Sequence, residues 1–300
     1  EILYKSEKRH NLYKCIYYVI LCISVGLNSF YVVKAFNKNP FDRVAVFHET
    51  KVTAHRGGSS SAPENTLAAF RHAINDRADY IELDVRQTKD DEIVVIHDAN
   101  TRRTTGVDGY IRNMTLDEVK ELDAGSYFSE EYTGEKIPTL REVLELTQGK
   151  ILVNIEIKPT QYDNDIAGKV VALIEEYGME DECEITSFDY NALKQVKAYN
   201  KDIKTGYILS VAYGRFYDTD EVDFFSINAS FLSKRLIDAI HKSGKEVYAW
   251  TVNNEASIRN LSNKGVDNII TDRHVVAKET VLSRDTSETL VNMSRYVFNR

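Results

Sequence analysis

The sequence predicts an α/β protein: a (β/α)8 TIM-like barrel with a short antiparallel hairpin arm after its second strand, preceded by a transmembrane helix. Three observations predict it. Short apolar runs alternate with helical periodicity through most of the 300 residues, one link between runs is too short for a parallel crossover, and a long uncharged stretch lies near the front.

Nine runs read as strands, at 52–55, 80–85, 93–97, 151–157, 184–188, 205–209, 223–227, 246–252 and 268–271. Helical patterns at 64–76, 139–147, 165–177, 190–199, 233–243 and 255–264 separate most of them. Strands and helices in alternation imply a parallel sheet with covering helices. An open doubly wound sheet is disfavoured because no glycine fingerprint follows the first strand.

The link from Arg86 to Glu92 explains why nine strands are present instead of eight. Parallel neighbours need a crossover of about a dozen residues, and Lys89-Asp90-Asp91-Glu92 has room only for a turn. The run at 93–97 is therefore expected to fold back antiparallel. A turn centred on Asp90 and Asp91 would set Asp84 opposite His97, and eight parallel strands remain for the barrel. Residues 101–138 form an insertion containing Tyr110, Tyr127, Phe128 and Tyr132.

Residues 15–33, CIYYVILCISVGLNSFYVV, carry no charge and are bracketed by Lys5, Lys8, Arg9 and Lys14 before and Lys34, Lys38 and Arg43 after. At a rise of about 1.5 Å per residue, about 20 apolar residues cross a hydrocarbon core, and Tyr17, Tyr18 and Tyr31 sit where interfacial aromatics belong. The stretch has no polar stripe, unlike a helix covering a soluble core, and is too long for a signal-peptide core. Residues 1–43 are thus expected to anchor the chain in a cell membrane, with the body, 44–300, on the outer face. Residue 1 is Glu, so a preceding segment is also expected.

Composition narrows the function classes. The net charge is −8, and residues 1–43 hold seven Lys/Arg against three Asp/Glu while the rest carries 31 against 43. An acidic body argues against nucleic acid as partner, because phosphate backbones need a basic surface. Three cysteines, Cys15, Cys22 and Cys183, make no disulfide framework.

Barrel chemistry sits at the C-terminal ends of strands. Those ends read His55-Arg56, Glu82-x-Asp84, His97-Asp98, Glu156-x-Lys158 and Trp250. So many desolvated charges cost several kcal/mol each unless paired, as rough magnitudes go, so their grouping points to chemistry. Glu82 and Asp84, two apart on a strand, face the same side about 7 Å apart. With Glu156 they offer a hard oxygen site suited to magnesium or calcium. His55 precedes Arg56-Gly57-Gly58, where a guanidinium and close backbone approach suit an anionic oxygen. His97 supplies a second imidazole, so acid and base are both at hand. His10, His48, His72, His241 and His274 read as ordinary core or surface residues. Pro63-Glu64-Asn65-Thr66 reads as a helix start, one that could direct free N–H groups at a phosphate beside His55.

The segments HRGGSSSAPENT (55–66), IELDVRQTKDDEIVVIHD (81–98), NIEIKP (154–159), AWTVN (249–253) and GVDNIITDR (265–273) together resemble glycerophosphodiester phosphodiesterases, in order, over about three quarters of the chain. The resemblance implies a (β/α) barrel, a divalent cation, calcium or magnesium, and hydrolysis of glycerophosphodiesters to glycerol phosphate and an alcohol. It implies His55 and His97 as the catalytic pair, Glu82, Asp84 and Glu156 as metal ligands, Arg56 and Lys158 as phosphate contacts, and Trp250 against the glycerol. The sequence departs from the family pattern at Asp90-Asp91, usually Asp-Gly, and after IITD, where Arg273-His274 replaces a frequent Pro. It also resembles a bacterial-type subgroup whose hydrolase follows a multi-span membrane region. The alternatives are a lysophospholipase D-like or inositol-lipid phosphodiesterase, and an inactive membrane-tethered binding module.

Overall fold

The computed structural model describes residues 49–283. The expected membrane span at 15–33 lies outside the described residues. Among the described residues no helix is long and apolar enough to cross a membrane.

Among the described residues there are nine strands: β1 Lys51–Ala54, β2 Tyr80–Gln87, β3 Ile93–Val95, β4 Leu152–Ile157, β5 Cys183–Ser187, β6 Lys204–Leu209, β7 Phe224–Asn228, β8 Glu246–Trp250 and β9 Asn268–Thr271. Eight pair in parallel in the order β1-β9-β8-β7-β6-β5-β4-β2, and β1 also pairs with β2, which closes the cylinder. The main covering helices are α1 Leu67–Asn75, α2 Leu140–Thr147, α3 Ile166–Glu176, α4 Tyr190–Tyr199, α5 Lys234–Lys242 and α6 Glu255–Lys264.

Strand alternation decides which side chains meet. On β2, Ile81, Leu83 and Val85 join the large apolar core together with Val153, Ile155 and Ile157 of β4 and helix residues such as Phe70, Leu144 and Val170. The opposite parity faces into the barrel and is mostly polar: Glu82, Asp84, Asn154, Glu156, Glu184, Thr186 and Ser226 are all buried. Phe224, Tyr248 and Ile270 form a small separate apolar cluster with Trp250 beside it. Gly206 makes room for that cluster, since a Cβ there would stand 2.1 Å from the Phe224 ring.

β3 pairs antiparallel with β2, setting Val85 opposite Val95 and Gln87 opposite Ile93. This corrects the expected register by one residue. The turn closes between Thr88 and Glu92, whose N–H and C=O lie 2.9 Å apart, so three residues form the loop, and Asp91 takes the left-handed φ of 71° that such loops need. Ile96, not His97, donates to the Asp84 carbonyl, at 2.9 Å. The insertion packs on this arm through a core of its own containing Val94, Ile96, Ile111, Val119 and Ile137.

A second correction concerns the first covering helix. It starts at Leu67, with Thr66 as N-cap, because Asn65 adopts φ 56° and turns its side chain onto Asp84. The helix N-terminus is satisfied internally: Ala68 N–H donates to Glu135 Oε1 at 3.0 Å and Ala69 N–H to Thr66 Oγ1 at 3.2 Å.

Candidate active site

Adjacent strands in register bring the carboxylates together. Asp84 pairs with Glu156 and Glu82 with Asn154 across β2 and β4, so the inward residues of these two strands form one patch. Ligand atoms of Glu82, Asp84 and Glu156 all lie within 4.8 Å of one another, the one such group found among the described residues.

Three buried carboxylates in contact cannot all ionise without compensation. Burial, and then the negative charge of Asp84, push the Glu82 and Glu156 carboxyls well above the usual range. Burial would raise Asp84 too, but Lys158, Arg56 and His97 outweigh it and hold that group low. Lys158 Nζ stands 3.1 Å from Asp84 Oδ1 and also pairs with Glu156. Asn65 Nδ2 donates to Asp84 Oδ2 at 2.8 Å. Oxygen donors with this excess of negative charge fit a divalent cation, which would relieve the repulsion that burial imposes. Glu82, Asp84 and Glu156 could therefore hold one.

Arg56 follows β1 with φ 51°, a conformation that costs a non-glycine residue of order 1–3 kcal/mol. The bend turns its N–H onto Glu82 Oε2 at 2.8 Å. Its guanidinium pairs with Glu64 at 2.8 Å and lies 3.4 Å from Asp84 Oδ2. Gly57 follows because a Cβ there would meet Ala69 Cβ at 2.7 Å.

His55 Nδ1 lies 2.7 Å from Asp272 Oδ1, and His55 Nε2 lies 3.9 Å from Glu82 Oε2. Burial alone would lower the imidazole, but Glu82 and Asp272 reverse the shift and raise it. His97 Nδ1 lies 2.8 Å from Asp98 Oδ1. There burial wins over Asp84 and Asp98, and the imidazole is lowered. The two imidazoles are thus shifted in opposite directions.

Both histidines line one cavity of about 150 Å³, together with Arg56, Glu82, Glu156, Lys158, Phe188 and Trp250. Trp250 Nε1 donates to the Ser226 carbonyl at 2.9 Å, and its ring meets Phe188 edge-on at 5.7 Å. That pair is the aromatic part of the lining, with Lys158 Nζ 5.9 Å from the centre of the Phe188 ring. All eight residues singled out from the sequence line this cavity or, for Asp84, touch residues that do.

The profile of the glycerophosphoryl diester phosphodiesterase family matches residues 55–276. The chain belongs to that family. It is 38% identical over 253 residues to a glycerophosphodiester phosphodiesterase of Caldanaerobacter subterraneus, covering 82% of this chain and 98% of that protein. A Bacillus altitudinis glycerophosphodiester phosphodiesterase is 36% identical over 74% of this chain and 94% of its own. Among solved structures, an Oleispira antarctica phosphodiesterase in complex with the product sn-glycerol-3-phosphate superposes with a TM-score of 0.71 at 32% identity, over 77% of this chain and 96% of that one.

The chain is a glycerophosphodiester phosphodiesterase, and the eight-stranded parallel barrel is its fold. Three further site groups escape a reading of strand ends alone. Asp272 follows β9, which neighbours β1 only because the barrel closes, and it also accepts from Ser59 Oγ at 2.8 Å and Asn253 Nδ2 at 2.6 Å. Its position just after an apolar strand was the available signal. Glu64 and Asn65, hidden in what reads as a helix start, bind Arg56 and Asp84 instead. His274 keeps its ordinary reading: it is fully buried, bonds Asp76 at 2.9 Å and packs where a Gly58 Cβ would come within 2.2 Å of its ring.

Proposed function

We propose that this phosphodiesterase is metal-dependent, uses His55 and His97 as an acid-base pair, and releases glycerol phosphate and a free alcohol from glycerophosphodiesters. The observation that carries the proposal is one small cavity lined by two imidazoles, beside three converging carboxylates. A calcium or magnesium ion held by Glu82, Asp84 and Glu156 would supply positive charge against the phosphoryl oxygens.

The chain's own residues do the rest. Arg56 and Lys158 bring cationic donors to the phosphate. The wall of Trp250 and Phe188 takes the carbon face of the glycerol and excludes water there. One imidazole removes the proton from the glycerol 2-hydroxyl as that oxygen bonds to phosphorus. The bond from phosphorus to the alcohol breaks, and the other imidazole protonates the departing oxygen. With roles reversed, the pair then directs water onto the cyclic phosphate. The product bound to the Oleispira relative is the one this sequence of steps would leave.

The uncharged stretch at 15–33 supports a further element of the reading. It would hold the enzyme in the cell membrane with the barrel on the outer side, as in the subgroup with a membrane region before the hydrolase.

The test is product analysis on a panel of glycerophosphodiesters with divalent cation present. Glycerol phosphate and free head group should appear without any need for an acyl chain. His55→Ala and His97→Ala should each lower kcat by about 10²- to 10⁴-fold, the usual size of acid-base contributions, with unchanged circular dichroism. Turnover confined to acylated substrates, or full activity in either variant, contradicts the proposal.

A further inference from the structure

Two residues beyond Asp84, on the same face of β2, stands Arg86. Side chains at this spacing lie roughly 7 Å apart along a strand, so the row Glu82, Asp84, Arg86 runs outward from the carboxylates to the rim. Arg86 lies where β2 pairs with the arm, opposite Val94.

Its guanidinium is fixed, and although Asp84, Asp98, Glu156 and Asp163 act on it at longer range, no carboxylate pairs with it directly. Nε and Nη2 both donate to the His97 carbonyl, at 2.8 and 2.6 Å, which locks the side chain and leaves Nη1 and the second hydrogen of Nη2 free. Four neighbouring cations are paired with carboxylates, Arg56 with Glu64, Arg102 with Asp108, Arg103 with Asp98 and Glu64, and Lys158 with Asp84 and Glu156, while Arg112 stacks on Tyr110 and Tyr162. Arg86 is half-buried and forms no ion pair among the described residues. A partly desolvated guanidinium held without a carboxylate partner is a binding group waiting for an anion.

The cavities say which part of a substrate would reach it. The inner cavity of about 150 Å³ has room for a glycerol-sized group. Outside it, an open groove of about 520 Å³ is lined by Arg86, His97, Asn100, Arg102, Arg103 and Tyr110. A second open groove of about 630 Å³ shares Glu156, Lys158 and Phe188 with the inner cavity, the first shares His97, and Arg86 lines both grooves, so a diester with its glycerol inside has its leaving alcohol pass Arg86 by either exit. Of the three guanidinium groups lining the first groove, Arg102 and Arg103 are held by Asp108, Asp98 and Glu64, and Arg86 is the one without an ion pair.

We propose that Arg86 determines specificity by binding a second phosphate carried on the leaving alcohol, so that the enzyme prefers diesters whose head group is itself phosphorylated. This rests on the diesterase reading above and adds a substrate class to it. The fixed fork can take two phosphate oxygens at once.

A matched substrate pair tests it: glycerophosphoinositol and glycerophosphoinositol 4-phosphate, with glycerophosphocholine as a control for basal turnover. The readout is the ratio of kcat/KM for the phosphorylated over the plain substrate, which does not depend on the fraction of active protein. The wild-type ratio should be about tenfold or more, the scale of a charge-assisted hydrogen bond. Arg86→Gln should bring it near one, and Arg86→Lys, with a charge but no fork, should fall between. A wild-type ratio near one overturns the assignment. So does an Arg86→Gln enzyme that loses activity on both substrates in proportion, since Arg86 would then act only by holding the His97 backbone. Failure of the wild type to turn over all three substrates overturns the diesterase reading itself, and the assignment with it.

Discussion

Asp272 Oδ1 stands 2.7 Å from His55 Nδ1, at the seam where the last strand of the barrel meets the first. The carboxylate sits below its ordinary range: burial would raise it, but the hydrogen bond and charge of His55, with Ser59 and Asn253, prevail. In return it helps hold the His55 imidazole above the usual value. Since His97 is lowered and His55 raised, the singly protonated pair is the populated form between their two values, and kcat/KM should be bell-shaped in pH.

The two limbs can be moved separately. Asp272→Asn removes a contribution that raises His55, so the basic limb should shift to lower pH. Asp98→Asn removes one that partly offsets the burial of His97, so the acidic limb should shift to lower pH. Rate profiles of the two variants check this. Limbs that stay in place, or move to higher pH, would show that the imidazoles do not set them.

The barrel floor carries a different titration. Burial pushes the Glu184 carboxyl up to about 8, against the opposing effects of Lys204 and Tyr248, and Tyr248 Oη donates to it at 2.9 Å. A carboxyl raised in the folded state favours folding fully below its unfolded value of about 4.3, and that contribution is lost as pH rises through the folded one. Glu184→Gln stays neutral throughout. Its melting temperature should therefore gain on the wild type between pH 5 and pH 9, by scales of this linkage. Melting curves that run parallel over that range contradict the assignment.

Gly206 is a packing constraint rather than a flexible joint. The Phe224 ring fills the space its Cβ would need and stacks on Tyr248 with centroids 4.2 Å apart. Gly206→Ala should cost about 1–3 kcal/mol, the range for overpacking, measured by urea denaturation. An unchanged midpoint would mean that the aromatic pair can shift at no cost.

Much of this was legible from the chain itself. Alternation along β2 and β4 told which residues face inward, and inward polar residues at strand ends told where to look for chemistry. The hairpin register was not legible, because it turned on Asp91 accepting a left-handed φ, and sequence alone did not distinguish a three-residue loop from one centred a half-step later. Asn65 is the same case: a left-handed residue inside an apparent helix start diverted its side chain to Asp84. Asp272 was out of reach for a third reason, since its partnership with His55 exists only once the cylinder closes. The candidate span at 15–33 rests on composition and length alone.

The cation site is the centre of the account. Dialysis of the protein against chelator, followed by assay on glycerophosphocholine with calcium or magnesium added back, tests it most directly. Activity should vanish on chelation and return with one of the two ions, and Glu156→Gln should need far more of that ion for half-maximal rate. Full turnover after exhaustive chelation, or a cation requirement unaltered by Glu156→Gln, would contradict it.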